Sequence, residues 1–341
     1  MSLAQDIKRK AIEFGFDLVG VTGAWPIDAE QVEFLSGWLK SGYAGQMNYL
    51  HRNFEKRINP AKLLENAQSV ICIGLNYKPP PHAQSLRARR HRAKQSRPDD
   101  AAPMGRIASY AQYEDYHVFI KKQLRKLIEF ITTIAGREHK FKICVDSAPL
   151  AERALAVRAD LGFIGKNHML INSALGPQIF LGEIVTTLKL PIDKYHGLPA
   201  RDTTAKMAMV QCSNCNKCID ACPTGALRPD GQFDANRCIS YLTIEYKGQI
   251  SPELAERTGY RLFGCDECVL ACPYQQKAPV CKNKQFKFYS DRAAHGLQEI
   301  LEMTEEEFQV RFADSVILRP GLELLKRNSQ ICLANTISRN H

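Results

Sequence analysis

Cys212-Ser-Asn-Cys215-Asn-Lys-Cys218-Ile-Asp-Ala-Cys222-Pro223 is the stretch that decides how this chain is organised. Its spacing, C-x2-C-x2-C-x3-C-P, is that of a bacterial ferredoxin loop around a 4Fe–4S cluster. Three thiolates at short spacing wrap one cube. The fourth reaches the other cube in two-cluster proteins, so a second run is expected. It is present as Cys265-Asp-Glu-Cys268-Val-Leu-Ala-Cys272-Pro273. That run is one cysteine short, because Leu262 stands where the spacing calls for one, and Cys238 is the replacement. The expected ligand sets are Cys212, Cys215, Cys218 and Cys272 for one cluster, and Cys222, Cys238, Cys265 and Cys268 for the other.

The bland alternative is structural zinc, which also uses C-x2-C pairs. Two interlocking runs that each end in Cys-Pro argue against it. A radical-SAM reading needs C-x3-C-x2-C and fails at both runs. The other four of the 12 cysteines, Cys72, Cys144, Cys281 and Cys332, read as ordinary thiols. Such cysteine density in a chain whose start shows no secretory signal points to metal rather than disulfides. Asp6, Lys8, Arg9, Lys10 and Glu13 interrupt any apolar leader segment. No apolar run approaches the roughly 18 residues of a membrane span. A cytoplasmic, membrane-free monomer is the expectation. Lys plus Arg number 46 against 36 acidic residues, a net charge of +10, so an acidic partner is expected.

Working outward, 341 residues suggest two or three domains. Before residue 200, helical and strand patterns alternate. Helices are expected over Leu3–Phe14, Pro60–Glu65, His117–Ala135 and Pro149–Leu161. Strands are expected over Asp17–Val21, Ser69–Asn76, Phe141–Val145 and Ile179–Leu188. In the long helix Ile120, Leu124, Leu127, Ile128 and Ile131 recur at helical spacing. The fold class is α+β: a mixed sheet with packed helices over 1–200, a ferredoxin-like segment over 201–285, and a short helical segment over 286–341. Helices there are expected over Ala293–Leu301, Thr304–Phe312 and Pro320–Ile337. Residues 78–104 read as an exposed, mobile basic insertion. It holds six Lys/Arg and no acid between Arg87 and Arg97; a solvated loop and a nucleic-acid arm both fit.

There is no G-x-G-x-x-G loop, and Gly165-Lys166-Asn167 is not a Walker A motif. Asp115-Tyr116-His117 resembles the start of the D-x-H-x-x-G loop that ligates cobalamin through histidine, but Ile120 replaces its glycine, so His117 reads as a helix-start residue. The most informative stretch is CVDSAPLAERALAVRADLGFIGKN, Cys144 to Asn167. A strand ends at Asp146, where the carboxyl-end rule for open sheets places ligands. Asp146 also reads as the N-cap of the next helix. Gly162, Gly165, Lys166 and Asn167 form a loop able to approach a ligand.

The chain resembles the epoxyqueuosine reductase family, cobalamin-dependent iron–sulfur enzymes of tRNA modification, over nearly its whole length. The resemblance rests on RIASYAQYEDYH (Arg106–His117), VDSAPLAERALAVRADLGFIGKNHMLIN (Val145–Asn172) and FLGEI (Phe180–Ile184). It continues through both cysteine runs, CISYLTIEYKG (Cys238–Gly248) and FGCDECVLACP (Phe263–Pro273). It implies a cobalamin held without histidine ligation, with Arg57, Asp146, Lys166, Asn167, Gly264, Cys265, Asp266 and Glu267 as cofactor-binding residues. It implies electrons passing from an external low-potential donor, of flavodoxin or ferredoxin type, through both clusters. It makes Asp146 the catalytic acid in reduction of epoxyqueuosine to queuosine at the tRNA wobble position, and Lys247, Lys326 and Arg327 candidate tRNA contacts. An acid at Asp146 requires a raised pKa: burial against the corrin raises it, while a helix N-terminus opposes.

Two departures stand out. The 78–104 connection is longer than is usual in the family, and the chain stops where many members continue into helical repeats. Two other classes of function compete with this reading. One is a corrinoid reductase of a small molecule, dehalogenase-like, with no tRNA affinity. The other is a bare electron-transfer protein with clusters and no corrinoid.

Overall fold

A computed structural model describes residues 2–81, 103–193 and 212–337. The basic run Arg87–Arg97 and the boundary expected at 200/201 lie outside the described residues. Among the described residues no helix is long and apolar enough to cross a membrane.

Among the described residues there are nine strands: β1 (Leu18–Gly23), β2 (Ser69–Asn76), β3 (Met104–Ile107), β4 (Phe141–Cys144), β5 (Phe163–Ile164), β6 (Leu170–Ile171), β7 (Ile179–Thr186), β8 (Arg261–Phe263) and β9 (Ala294–Gly296). The first sheet has the order β1-β2-β7-β4, each neighbour antiparallel. Its centre, β2 and β7, is buried along all eight residues of each strand. That explains why both are mainly apolar rather than alternating, with Glu183 the exception inside β7.

Successive side chains point to opposite faces. Ile71, Ile73 and Leu75 meet the helix Tyr116–Ala135 through Ile120, Leu124, Leu127 and Ile131, with Ile7 and Ala11 of Leu3–Glu13 beside them. Val70, Cys72 and Val185 meet Leu155 and Ala156 of the helix Glu152–Arg158 on the other face. Helices on both faces of an antiparallel sheet make the fold α+β. The carboxyl-end rule belongs to parallel sheets, so it does not place the site here.

The second sheet, β8-β3-β9, ties the three expected segments together, because it takes one strand from each. β3 runs parallel to β8 and antiparallel to β9. Gly105 permits this closeness: a Cβ there would stand 2.7 Å from Leu262 Cβ. The sheet is covered by the helices Leu297–Glu302, Glu305–Arg311 and Leu322–Ile337 through Leu297, Phe308, Leu325 and Cys332. Two boundaries differ from expectation. The stretch read as helix from Ala293 opens with β9, because pairing with β3 satisfies its backbone. The helix expected at Pro149 begins at Glu152, with Ala151 as its N-cap.

Arg327 needs a correction. Its guanidinium donates to the carbonyls of Tyr246 (2.7 Å), Gly248 (2.8 Å) and Leu242 (2.5 Å), and to Asn328 Oδ1. It therefore binds the last helix to Ile239–Ile244 and its following loop and is not offered to RNA. Arg327→Ala should lower stability by about 2–4 kcal/mol, the range for several hydrogen bonds to one charged group. Denaturant unfolding measures this, and an unchanged midpoint contradicts it.

Candidate active site

The cysteines fall into the two expected groups. Burial pushes the Cys218 thiol up to about 11, and the charges that add to this are Cys212, Cys215 and Cys272. These four, with Lys166, Asn167 and Lys277, line a cavity of about 400 Å³. Cys268 is pushed up by burial and then by Cys265, Cys238 and Cys222, with Cys218 the weakest of the four neighbours. Cys238 in turn feels Cys222, and Cys265 feels Cys238. So Cys272 lies with the first run, and Cys222 and Cys238 lie near Cys265 and Cys268. Among the described residues no three His, Cys, Asp or Glu side chains converge to hold a single metal ion. Thiols spread around a cavity suit a cube better than one zinc, whose bonds to sulfur span only about 2.3 Å.

The second group leads toward Asp146. Tyr77 lies within electrostatic reach of Cys268, Asp266 and Tyr110, and Tyr110 within reach of Asp266 and Asp146. Asp146 follows β4 with φ +51, the left-handed region that aspartate tolerates better than most residues. Its N–H donates to Glu152 Oε1 at 2.5 Å. Its Oδ2 lies 3.0 Å from His117 Nε2 and 3.8 Å from an Arg319 nitrogen. Tyr116 also favours its charged form. Its side chain is 45% exposed, so water reaches it.

His117 sits in the first turn of the helix Tyr116–Ala135, as expected, with Asp115 as N-cap. The Asp115 Oδ1 that accepts the His117 backbone N–H also meets His117 Nδ1 at 2.8 Å. The ring thus lies between two carboxylates. Burial opposes its charge, but the bonds to Asp115 and Asp146 win and raise its pKa to about 9. His117 is then an imidazolium at neutral pH and both ring nitrogens donate. Burial pushes the Asp146 carboxyl up, but the His117 hydrogen bond and charge, Tyr116 and Arg319 together hold it below the ordinary range. Asp146 is not a helix cap, since the helix starts six residues later.

Sequence reasoning missed His117, Glu152 and Arg319 as partners of Asp146. Asp115-Tyr116-His117 carried a signal, an N-cap aspartate two residues before a histidine. Nothing local marks Arg319, which reaches Asp146 from far along the chain and also pairs with Glu245 at 2.5 Å.

The other expected ligand residues are divided. Arg57 Nε is buried without a partner among the described residues, while another nitrogen donates to the Leu150 carbonyl at 3.4 Å. Asp266 accepts from the Ser109 N–H and hydroxyl, and Glu267 pairs with Arg261 at 2.6 Å. Lys166 donates to Ser213 O and Asn216 Oδ1 in the first cysteine loop. Asn167 donates to Cys268 O at 3.4 Å. Gly264 has φ +70, and a Cβ there would stand 2.7 Å from Ala108 Cβ. Four of the expected cofactor-binding side chains are therefore engaged within the protein. Lys247 is exposed and Lys326 half-buried.

Comparison with known proteins bears on all of this. A family model described as epoxyqueuosine reductase QueG, DUF1730, matches residues 57–147, and a 4Fe-4S double cluster binding domain model matches 211–275. The epoxyqueuosine reductase of Pseudomonas aeruginosa is 37% identical over 338 residues, covering 98% of this chain and 86% of the relative. A crystal structure of epoxyqueuosine reductase with a tRNA-Tyr epoxyqueuosine-modified stem loop superposes with a TM-score of 0.79 at 29% identity, covering 98% of this chain and 81% of that one. The Bacillus subtilis enzyme, solved with its catalytic aspartate loop swung out of the active site, superposes at 0.80 with 28% identity over 98% and 81%. With more than a third of its residues shared with curated relatives over nearly its full length, and with a 4Fe-4S double cluster binding domain model matching 211–275, this chain is an oxidoreductase and belongs to the epoxyqueuosine reductase family.

Proposed function

We propose that the chain reduces epoxyqueuosine to queuosine at the wobble position of tRNA, using cobalamin and two 4Fe–4S clusters. The observation that carries the reading is Asp146 paired with His117 where water reaches it, with Tyr110, Asp266 and Tyr77 between it and Cys268. A relative bound to a modified tRNA stem loop supports the substrate, and a relative with a catalytic aspartate loop supports Asp146 as the acid. A cofactor rich in hydrogen-bond acceptors would suit this place, because Arg57, whose Nε is buried without a partner among the described residues, lies near Asp146. Arg57, with the backbone around Gly264 and Cys265, would hold the corrin; when bound, it supplies the low-potential electrons for the substrate.

Removing an epoxide oxygen as water takes two electrons and two protons. An alkoxide leaves poorly unless protonated, and a placed general acid contributes roughly 10²–10⁴ in rate. Without corrin or substrate the Asp146 carboxyl is held low, not raised. His117 stores the proton one hydrogen bond away, and Asp146 delivers it as negative charge develops on oxygen. Asp115 holds the ring in place through Nδ1. The two cysteine groups lie in the order of an electron path, first cavity, second group, Asp146. An external donor of flavodoxin or ferredoxin type meets the first cavity, whose lining includes Lys166 and Lys277.

Three outcomes follow. Asp146→Asn keeps shape but removes the proton carrier, so turnover should fall at least about a hundredfold while iron content and RNA affinity stay unchanged. In the unsubstituted enzyme, activity should decline as pH rises through about 9, where the raised His117 loses its proton, and His117→Gln should lack that limb. Near-normal turnover in Asp146→Asn removes the acid from this account.

Cys272→Ala should damage the cluster held by Cys212, Cys215 and Cys218, and Cys222→Ala the one held by Cys238, Cys265 and Cys268. Iron analysis and EPR distinguish them; two zinc ions and no iron contradict both assignments.

Lys247→Glu with Lys326→Glu should weaken binding of a modified stem loop, with clusters intact. Affinity should also fall as salt rises, because phosphate contacts release counterions. Binding that ignores a fourfold salt increase contradicts electrostatic docking.

A further inference from the structure

We propose that Glu183 and Glu152 share a proton and that this carboxyl pair is the latch that sets Asp146 in place, which makes both positioning residues. The inference rests on reading Asp146 as the acid. Glu183 sits in the middle of β7, in register with Cys72 of β2 on one side and Cys144 of β4 on the other. It is fully buried, and neither carboxyl oxygen has a hydrogen-bond donor among the described residues. A bare carboxylate in such a place is far costlier than a protonated one.

The groups facing the pair agree with a shared proton. Glu183 feels Glu152 and Asp146, both acidic, and its strand neighbours are the two thiols. Glu152 feels Asp146 and Tyr116 as well as the cations Arg153 and Arg57. The positive charge thus favours Glu152 as the anion, leaving the proton on Glu183. Glu183 lies within hydrogen-bond reach of Glu152, while Glu152 Oε1 accepts the Asp146 N–H. In support, burial and then the neighbouring carboxylates raise both groups, Glu152 to about 7 and Glu183 well above its ordinary value.

The chain of bonds runs from the Glu183 O–H to the Glu152 carboxylate, and from the Asp146 N–H to the same carboxylate. Its task is mechanical. Asp146 holds a left-handed φ that few non-glycine residues adopt without local support. If Glu152 lets go, the backbone is free to relax toward an extended form and carry the carboxylate off His117. Loss of the last proton from the pair turns two facing carboxylates against each other, so the latch is present at low and neutral pH and is lost as pH rises through the raised value.

The test is hydrogen exchange at the Asp146 amide, in the full chain with its clusters assembled, expressed as protection factors so that the intrinsic pH dependence is divided out. Protection should hold at neutral pH and drop roughly tenfold or more at alkaline pH, as expected for loss of a hydrogen bond to a charged group. Glu152→Ala should lose that protection at every pH. Glu183→Gln should keep it, because the carboxamide N–H still donates to Glu152, and should lose its pH dependence. Circular dichroism checks that the variants fold; should Glu152→Ala fail, the isosteric Glu183→Gln decides alone. Wild-type pH dependence in Glu183→Gln, or full protection in a folded Glu152→Ala, overturns the latch. Turnover of Asp146→Asn separately tests the acid, so the two readings fail independently.

Discussion

The 3.0 Å contact between His117 and Asp146 is what the site is built around. Each partner alone would behave differently. A histidine as buried as this one would lose its charge, and a recessed carboxylate would gain a proton. Paired, and with Asp115 at the far side of the ring, the imidazolium and the carboxylate each keep the other charged. The cost of this arrangement is borne by the backbone, which places Asp146 in the left-handed region, and is offset by the Glu152 bond to its N–H. An acid that stores its proton on a neighbour can be ionised at rest and still deliver a proton when an oxygen nearby turns basic.

The rest of the fold holds that pair against the redox half of the molecule. The helix carrying His117 is fixed to one face of the first sheet by Ile120, Leu124 and Leu127, and β4 carries Asp146 at that sheet's edge. The second sheet places a strand of the cysteine segment beside β3, which ends two residues before the Ser109 that binds Asp266. Arg319, from the C-terminal segment, stands 3.8 Å from Asp146 and pairs with Glu245 of the cysteine segment. The segments expected as separate units are tied by a shared sheet.

Much of this was legible in the sequence, for physical reasons. The cysteine spacing is dictated by cluster geometry, so the pairing of Cys272 with the first run and Cys222 with the second follows from the motif itself. The apolar runs of β2 and β7 and the helical face from Ile120 to Ile131 reflect burial, which composition records directly. What sequence does not carry is the partner from elsewhere in the chain. Arg319 and Glu183 are far from Asp146 in sequence, and their roles come from the sheet register and the packing of the last segment. Arg327 shows the reverse: a basic residue on a late helix reads as an RNA contact, yet three backbone carbonyls that only the fold brings together take up its guanidinium. The carboxyl-end rule pointed to Asp146 although the sheet it describes is parallel and this one is not.

The central claim is that a protonated His117 stands beside an ionised Asp146. Nitrogen NMR of the histidine-labelled protein, with His117 assigned by its loss in His117→Gln, reads that state directly. The account predicts that both ring nitrogens of His117 carry protons at neutral pH and that one is released only near pH 9. A neutral His117 ring at pH 7 would contradict it.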